Sequence, residues 1–366
     1  MLKPKVNILD FAPNELIDYL VSIGEPTSQI RQLIKGIFTE QVTSFKEMSA
    51  LSSSLQSKLE EFATLGTLDS LEEIVSEDGH THKSLFWLED GNTIESALMF
   101  FRNSNTGRER RTVCVSSQVG CPIGCQHCAT GRQGFERNLR PNEIINQVLY
   151  FLRQLGSTDN VGGLGRGWLS NVVFMGMGEP LANYDNVIKA ITILNDQRGL
   201  GLGFHQLTLS TSGLAPQIRQ LAEENIQVQL AVSLHAANDI LRDRLVPINK
   251  KYPLAQLMKA CWDYSSKTGR KIFIEYALFA GVNDSVEDAA ELAILLDNLD
   301  CSINLIPGNL TENGGFTPTT VEQAKVFQKQ LITSGFRTML RVSRGADIEA
   351  GCGQLRSRWL DGRLHA

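Results

Sequence analysis

The stretch Cys121-Pro-Ile-Gly-Cys125-Gln-His-Cys128 places three cysteines close together in a chain of 366 residues. It follows residues 112–118, whose alternating pattern predicts a buried strand. A loop at the end of a strand can wrap three thiolates around one face of a four-iron, four-sulfur cubane, which leaves one iron open to a small molecule. The spacing therefore predicts a 4Fe-4S cluster that binds a ligand, because an electron-transfer ferredoxin would supply four cysteines.

A structural zinc site is the alternative for the same cysteines. Zinc needs a fourth ligand, and His127 is the nearest one in the sequence. Because His127 lies in the same short turn, tetrahedral ligation together with its neighbours would be strained. The cluster is therefore the preferred interpretation.

Composition and charge narrow the class of protein. With 42% hydrophobic and 20% charged residues, the chain is typical of a globular protein with one large domain and a smaller one. Seven cysteines without the pattern of a secretory signal argue against a disulfide framework, and no apolar run predicts a membrane helix, so we expect a cytoplasmic protein with no membrane partner. The net charge of −5 offers no overall attraction to nucleic acid, so any RNA contact must be local.

The hydrophobic pattern predicts an α/β fold, a partial (β/α)6 barrel with a small N-terminal helical domain. Six apolar strand patterns alternate with helical patterns, which is typical of a parallel sheet buried on both faces. Six units fall short of the eight of a full barrel, which favours an open one. The predicted regions are a helical domain at 1–84, a linking hairpin at 85–110, the barrel at 111–340 and a C-terminal segment at 341–366.

Polar residues cluster just after the predicted strands, at the edge where parallel barrels and sheets bind ligands. They include Gly178 and Glu179, which follow one strand, Ser210 and Ser233, which lie at the ends of two others, and Asn309. Glycines let a backbone approach a ligand, and a carboxylate can accept an ammonium group. These residues are candidates for a ligand site beside the cluster.

Six ordered blocks extend the cysteine motif over nearly the whole chain. They read CVSSQVGCPIGCQHCATGRQGFERNL at 114–139, VVFMGMGEPLANYDNV at 172–187, LTLSTSG at 207–213, VSLHAANDILRDRLVPINKKY at 232–252, INLIP at 303–307 and RGADIEAGCGQL at 344–355. Through these blocks the chain resembles the RlmN and Cfr group of radical S-adenosylmethionine (SAM) RNA methyltransferases. Gln133-Gly134-Phe135 looks RlmN-like, and Val119 stands where Cfr-type sequences have a further cysteine.

The resemblance implies a role for each candidate residue. It implies a cluster on Cys121, Cys125 and Cys128, and SAM contacts at Gly178, Glu179, Ser210, Ser233, Leu234, His235 and Asn309. It also implies that Cys352 carries the methyl group, that Cys114 resolves the intermediate through a disulfide with Cys352, and that Glu95 is the general base.

The implied reaction methylates carbon 2 of an adenosine in 23S ribosomal RNA, transfer RNA or both. An adenine ring carbon is electron-poor and cannot attack a SAM methyl group as an amine would, so a radical route is needed. By resemblance, two SAM molecules are used per turnover and a covalent protein–RNA adduct forms. A low-potential donor such as flavodoxin or ferredoxin would supply the electron, and the protein would act as a monomer.

Three alternatives remain open at this point. One is Cfr-like methylation of carbon 8. Another is a radical SAM enzyme with a different substrate, because residues 308–316 depart from the family pattern. The last is a noncatalytic RNA-binding factor, which the retention of Glu95, Cys114 and Cys352 disfavours.

Overall fold

The computed structural model describes residues 5–102, 107, 109–158, 169–308, 315–341, 348 and 351–364. The N-terminal part contains the predicted helices, α1 (Pro13–Ser22), α2 (Ile30–Phe38) and α3 (Ser53–Phe62). Pro13 opens α1, and the Ser52 hydroxyl accepts the Leu55 amide at the start of α3. Two short strands, β1 (Val6–Asn7) and β2 (Ala63–Thr64), pair in parallel and join the two ends of this part.

Ten strands form one sheet, in the order β14-β13-β12-β11-β10-β9-β6-β5-β4-β3. Their bounds are β3 (Asp69–Val75), β4 (Thr81–Trp87), β5 (Thr93–Arg102), β6 (Glu109–Cys114), β9 (Asn171–Phe174), β10 (Leu207–Thr211), β11 (Gln229–Ser233), β12 (Ile272–Leu278), β13 (Cys301–Pro307) and β14 (Thr338–Leu340). Pairing is antiparallel from β3 to β6 and parallel from β6 to β14. The six predicted parallel strands are confirmed, and β14 adds a short seventh.

Residues 69–84 differ from the prediction, which counted them in the helical domain. They form β3 and the start of β4, and β4 and β5 make the predicted hairpin around Asp90-Gly91-Asn92. The reason lies in the sequence of β3, where exposure alternates from residue to residue with the period of a strand. Together, β3 and the hairpin extend the barrel sheet by three strands.

Helices alternate with the parallel strands along the chain. They are α4 (Ala129–Arg132), α5 (Pro141–Thr158), α6 (Tyr184–Asn195), α7 (Ala215–Leu221), α8 (Asp239–Leu245), α9 (Leu254–Thr268), α10 (Val286–Leu295), α11 (Val321–Thr333) and α12 (Gln354–Leu364). Of these, α4, α9 and α12 were not predicted, and α9 makes the crossover after α8. None of the described helices combines the length and the apolar character needed to cross a membrane.

The two faces of the sheet differ in chemistry. On β12, Tyr276 contacts the ring of Phe327 from α11, so that face packs against the helices. Successive strand residues point to opposite faces, so Glu275 points to the other side. The pairing register places Cys114, Ser210, Ser233, Glu275 and Asn304 on that same side, which we call the inner face. The same register extends it to Lys83 and Glu95 on the hairpin.

Candidate active site

The cysteine loop is closed by a small antiparallel pair, β7 (Gln118–Gly120) and β8 (Phe135–Asn138). The Cys121 amide donates to the Gly134 carbonyl at 2.7 Å, which brings the two ends of the loop together. Gly120 has a φ of +74°, and a Cβ there would lie 2.0 Å from the Gly134 oxygen, so this closure requires glycine. Cys128 caps α4 at the other end of the three-cysteine motif.

The three thiols of the loop influence one another's ionisation. Burial raises the pKa of Cys121 to about 12, with smaller contributions from Glu179 and Cys128. Burial and then the Cys128 and Cys121 sulfurs raise the pKa of Cys125 well above its usual value. Bound iron reverses this preference, because a coordinated thiol loses its proton to the metal's charge. Three soft sulfur donors in one half-buried loop therefore fit a 4Fe-4S cluster.

His127 packs against two other rings and is not held as a zinc ligand in this structure. Its ring meets the His235 ring edge-on at 5.0 Å and the Phe279 ring at 5.4 Å, and it has a backbone hydrogen bond with Leu245. Within the described ranges, no three His, Cys, Asp or Glu side chains are grouped around a single ion. A cubane does not require such a group, since each thiolate binds its own iron.

Gly178 and Glu179 follow β9, as predicted, and Glu179 joins three loops. A Cβ on Gly178, whose φ is +104°, would lie 2.6 Å from Gln118 Cβ. The Glu179 amide donates to Gln118 Oε1 at 2.8 Å, and the carboxylate accepts the amide and the hydroxyl of Ser212 at 2.7 and 2.6 Å and the Leu181 amide at 3.0 Å. Burial nevertheless raises the pKa of Glu179. A carboxylate offers about four lone-pair sites, and the Thr211 side chain is a fourth donor here, so an ammonium group would have to share or replace one of these hydrogen bonds.

The other predicted SAM contacts lie at the ends of neighbouring strands. The hydroxyls of Ser210 and Ser233 are 3.4 Å apart across β10 and β11. Leu234 is fully buried and donates its amide to the Glu275 carbonyl at 3.0 Å. His235 has a φ of +62°, and its Nδ1 accepts the Ala277 amide at 3.0 Å. Burial lowers the pKa of His235 well below its usual value, so the ring is neutral with its proton on Nε2. Asn309 lies outside the described residues.

Arg242 was not predicted as a site residue, yet it ties the loops after β10 and β11 together. Its guanidinium is fully buried and donates to the carbonyls of Leu234 at 3.1 Å and Ser212 at 2.6 Å, and to Asn249 Oδ1 at 2.9 Å. Burial lowers its pKa to about 10, and the nearby Cys125 thiol acts in the opposite direction. A cation thus lies close to the cysteine loop. The signal in the sequence was weak, because charged residues of short helices are usually solvated.

Glu95 is buried in the hairpin, whereas a carboxylate on a hairpin is usually solvated. Only 3% of its side chain is exposed, and Lys83 Nζ lies 3.0 Å from Glu95 Oε1. The carboxylate also accepts the Gly353 amide and, at 3.2 Å, the Arg356 amide. Glu95 therefore binds the backbone on the C-terminal side of Cys352.

Cys114 and Cys352 meet at Met175. The Cys352 thiol donates to the Met175 carbonyl at 3.0 Å, while the Met175 amide has a hydrogen bond to the Cys114 sulfur. Water reaches Cys352, but protein surrounds it elsewhere, and burial followed by Cys114, Cys128 and Glu95 raises the pKa of its thiol well above the usual value. Both sulfurs are free thiols, so the disulfide implied by resemblance is absent here.

Comparisons with known proteins agree with this geometry. The radical SAM superfamily model matches residues 115–293, and the ribosomal RNA large subunit methyltransferase N-terminal domain matches residues 6–65. Two relatives carry the name "Probable dual-specificity RNA methyltransferase RlmN". The one from Dictyoglomus turgidum is 43% identical over 97% of each chain, and the one from Thermotoga neapolitana is 42% identical over 96% of this chain and 97% of its own. The chain belongs to the RlmN family of radical SAM RNA methyltransferases. A crystal structure of a radical SAM methyltransferase from Sphaerobacter thermophilus is similar to this RlmN-family chain, with a TM-score of 0.87 at 41% identity over 95% of this chain and 98% of that one.

Family membership confirms the predicted fold, the enzyme class and the cofactors. Radical SAM enzymes use a 4Fe-4S cluster and SAM. In this RlmN-family chain, the cysteine loop, Glu179 and the Ser210–Ser233 pair border the same end of the sheet. The roles of the individual side chains remain predictions.

Proposed function

We propose that the enzyme methylates carbon 2 of an adenosine in 23S ribosomal RNA, transfer RNA or both, through a methyl group carried on Cys352. The observation that supports this proposal best is the position of Cys352. Its thiol is held at Met175 next to Cys114, with Cys128 of the cysteine loop and Glu95 near enough to influence it. A methyl carrier needs three such neighbours: a thiol that can attack its sulfur, a base, and the cluster loop that serves the radical steps.

The chain's own residues divide the remaining work. Cys121, Cys125 and Cys128 would hold the cluster, which would supply electron transfer to SAM when bound. The Cys352 sulfur takes the methyl group of a first SAM, which leaves as S-adenosylhomocysteine. That methyl carbon would then lose a hydrogen atom to the deoxyadenosyl group cleaved from a second SAM, and only then bond to the adenine ring. Glu95 takes the proton from the ring carbon. Cys114 then attacks the Cys352 sulfur and breaks its bond to the methyl carbon, which takes up the proton that the Cys114 thiol gives up. This frees the methylated RNA and leaves a disulfide for an external dithiol to reduce.

RNA would reach this site as an unstacked nucleotide, because an adenine in a helix cannot enter an enclosed pocket. Some arginines that flank the cysteines are committed to the protein, such as Arg137, which pairs with Asp90 and Glu143. Arg110 differs, since it stacks over Phe101 and lies near the like charge of Arg341. A phosphate between these two cations would relieve their repulsion, so we propose that they contact the RNA backbone.

The electron donor and the assembly state complete the proposal. A low-potential protein such as flavodoxin or ferredoxin would reduce the cluster, and the enzyme would act as a monomer. Size-exclusion chromatography with light scattering, and cluster reduction followed by absorbance, test these two points.

Nucleoside mass spectrometry of a deletion strain tests the main proposal. We expect 2-methyladenosine to disappear from ribosomal RNA, transfer RNA or both, and to return with the wild-type gene but not with a Cys352→Ala gene. Unchanged 2-methyladenosine in both RNA classes would contradict the proposal, and a loss of 8-methyladenosine instead would favour Cfr-like chemistry.

A further inference from the structure

Lys83 is a buried cation on the inner face of the hairpin. It lies on β4, and only 3% of its side chain is exposed. Its ammonium group lies 3.0 Å from Glu95 Oε1 and donates to the Gly351 carbonyl at 2.8 Å. The first two groups come from the paired strands β4 and β5, and the third comes from the C-terminal segment, 268 residues along the chain from Lys83. A lysine is rarely buried unless it is paired, so the burial of Lys83 depends on these partners.

The Lys83–Glu95 pair holds the backbone on both sides of Cys352. Lys83 binds the carbonyl of Gly351, the residue before the cysteine, and Glu95 binds the amide of Gly353, the residue after it. Gly353 has a φ of +79°, and a Cβ there would lie 2.3 Å from Thr130 Oγ1, so the loop approaches α4 closely at this point. Glycines give the loop backbone freedom, which a fixed ion pair can restrain.

A buried ion pair is seldom the most stable filling for its space. Desolvation of both ions offsets most of their attraction, and an apolar pair of similar volume often gives equal or greater stability. Such a pair is better suited to fix one geometry than to add stability. Here the geometry that it fixes is that of the loop carrying Cys352.

We propose that Lys83 is a positioning residue that, with Glu95, holds the Cys352 loop against the inner face beside Cys114. This inference rests on the proposed role of Cys352 as methyl carrier. The pair holds Cys352 in its place at Met175, where a methyl group can be received and the carrier can later meet Cys114.

Lys83→Met and Lys83→Arg in the anaerobically purified holoenzyme test the proposal. Lys271→Met is the matched control, because Lys271 forms an ion pair of the same length, 3.0 Å, with Asp300 at the exposed start of β12. The readouts are the rate of iodoacetamide alkylation at Cys352, by peptide mass spectrometry, and the transfer of a deuterated methyl group from SAM to Cys352. Cluster content and the Kd for SAM are measured in parallel.

We expect Lys83→Met to raise the Cys352 alkylation rate, and to lower its methylation, by about tenfold or more, as local release of a held segment would. The Kd for SAM should stay unchanged, Lys83→Arg should restore much of the methylation, and Lys271→Met should match the wild type. If Lys83→Met does not fold, the double variant Lys83→Met with Glu95→Gln removes both charges, and it should still show the faster alkylation.

The proposal would be overturned if Lys83→Met were alkylated and methylated at wild-type rates. It would also be overturned if the double variant were alkylated at the wild-type rate. A wild-type enzyme that never methylates Cys352 would instead contradict the proposed function. In that case the alkylation rates still decide whether Lys83 holds the loop.

Discussion

The Cys352 thiol donates its hydrogen bond to the carbonyl oxygen of Met175, with 3.0 Å between sulfur and oxygen. Met175 directly follows β9, and its amide contacts the sulfur of Cys114 on the neighbouring strand β6. Met175 therefore binds both thiols, which are not joined by a disulfide bond. Such a pair is placed for exchange, which needs sulfur to approach sulfur with little backbone movement.

Replacing Cys114 should trap the enzyme on its RNA. Without the thiol that attacks the Cys352 sulfur, the bond between the carrier methyl and the adenine cannot break, so Cys114→Ala should accumulate a covalent protein–RNA adduct. A denaturing gel with labelled RNA measures the adduct, and Cys301→Ala, a buried cysteine far from Met175 in the sequence, is the control. An absence of adduct together with normal methylation would contradict the assigned role.

Neutralising Glu179 should weaken SAM binding. Glu179→Gln keeps the size of the side chain but removes the charge that would face the SAM ammonium group. Hydrogen bonds to charged groups contribute about 1.5–3 kcal/mol, so the Kd should rise by about ten- to a hundredfold. Equilibrium dialysis of the holoenzyme measures the Kd, with Glu322→Gln on the exposed side of α11 as control. An unchanged Kd for Glu179→Gln would remove this carboxylate from the SAM site.

Removing the Arg242 guanidinium should destabilise the fold near the cysteine loop. Arg242→Met leaves the buried carbonyls of Ser212 and Leu234 without their donor. We expect a loss of about 3 kcal/mol in the free energy of unfolding, and an intermediate loss for Arg242→Lys, which keeps the charge but has fewer donors. Denaturant unfolding measures the free energy of unfolding of both variants. A loss below about 1 kcal/mol for Arg242→Met would show that water replaces the guanidinium.

Glu275 should make stability depend on pH in an unusual direction. Asn304 Nδ2 donates to Glu275 Oε1 at 2.7 Å, while Glu275 Oε2 and Asn304 Oδ1 are buried with no hydrogen-bond partner among the described residues. A proton on Glu275 Oε2 would give this oxygen a hydrogen to donate. Burial favours that protonated form, because it raises the pKa of Glu275. A raised pKa means that the folded state keeps a proton which the unfolded state has lost, so this group's contribution is complete below the unfolded pKa and is lost as pH rises through the folded one.

Glu275→Gln tests that direction, because an amide resembles the protonated acid at every pH. Relative to the wild type, the variant should gain stability as pH rises from about 4 to 8. Free energies of unfolding across this range measure the effect. Parallel pH profiles for the two proteins would mean that Glu275 ionises normally in the fold.

The sequence predicted the elements whose information is local. The cysteine spacing indicated the cluster loop, and continuous apolar runs indicated the parallel strands. Lys83 and Arg242 escaped prediction because each binds a group that is not its neighbour in the sequence. Lys83 binds the Gly351 carbonyl, 268 residues along the chain, and Arg242 binds the Ser212 carbonyl, 30 residues before it. Lys83 lies in the mostly buried strand β4, where a charge needs such a partner.

The central claim is that three cysteines hold a cluster with one iron left open for SAM. Mössbauer spectroscopy of anaerobically reconstituted protein containing iron-57 tests it most directly, recorded with and without SAM. We expect three irons in one environment and a single iron whose signal alone shifts when SAM is added. Four irons whose signals are all unchanged by SAM, or a protein that takes up zinc in place of iron, would contradict the proposed cluster site.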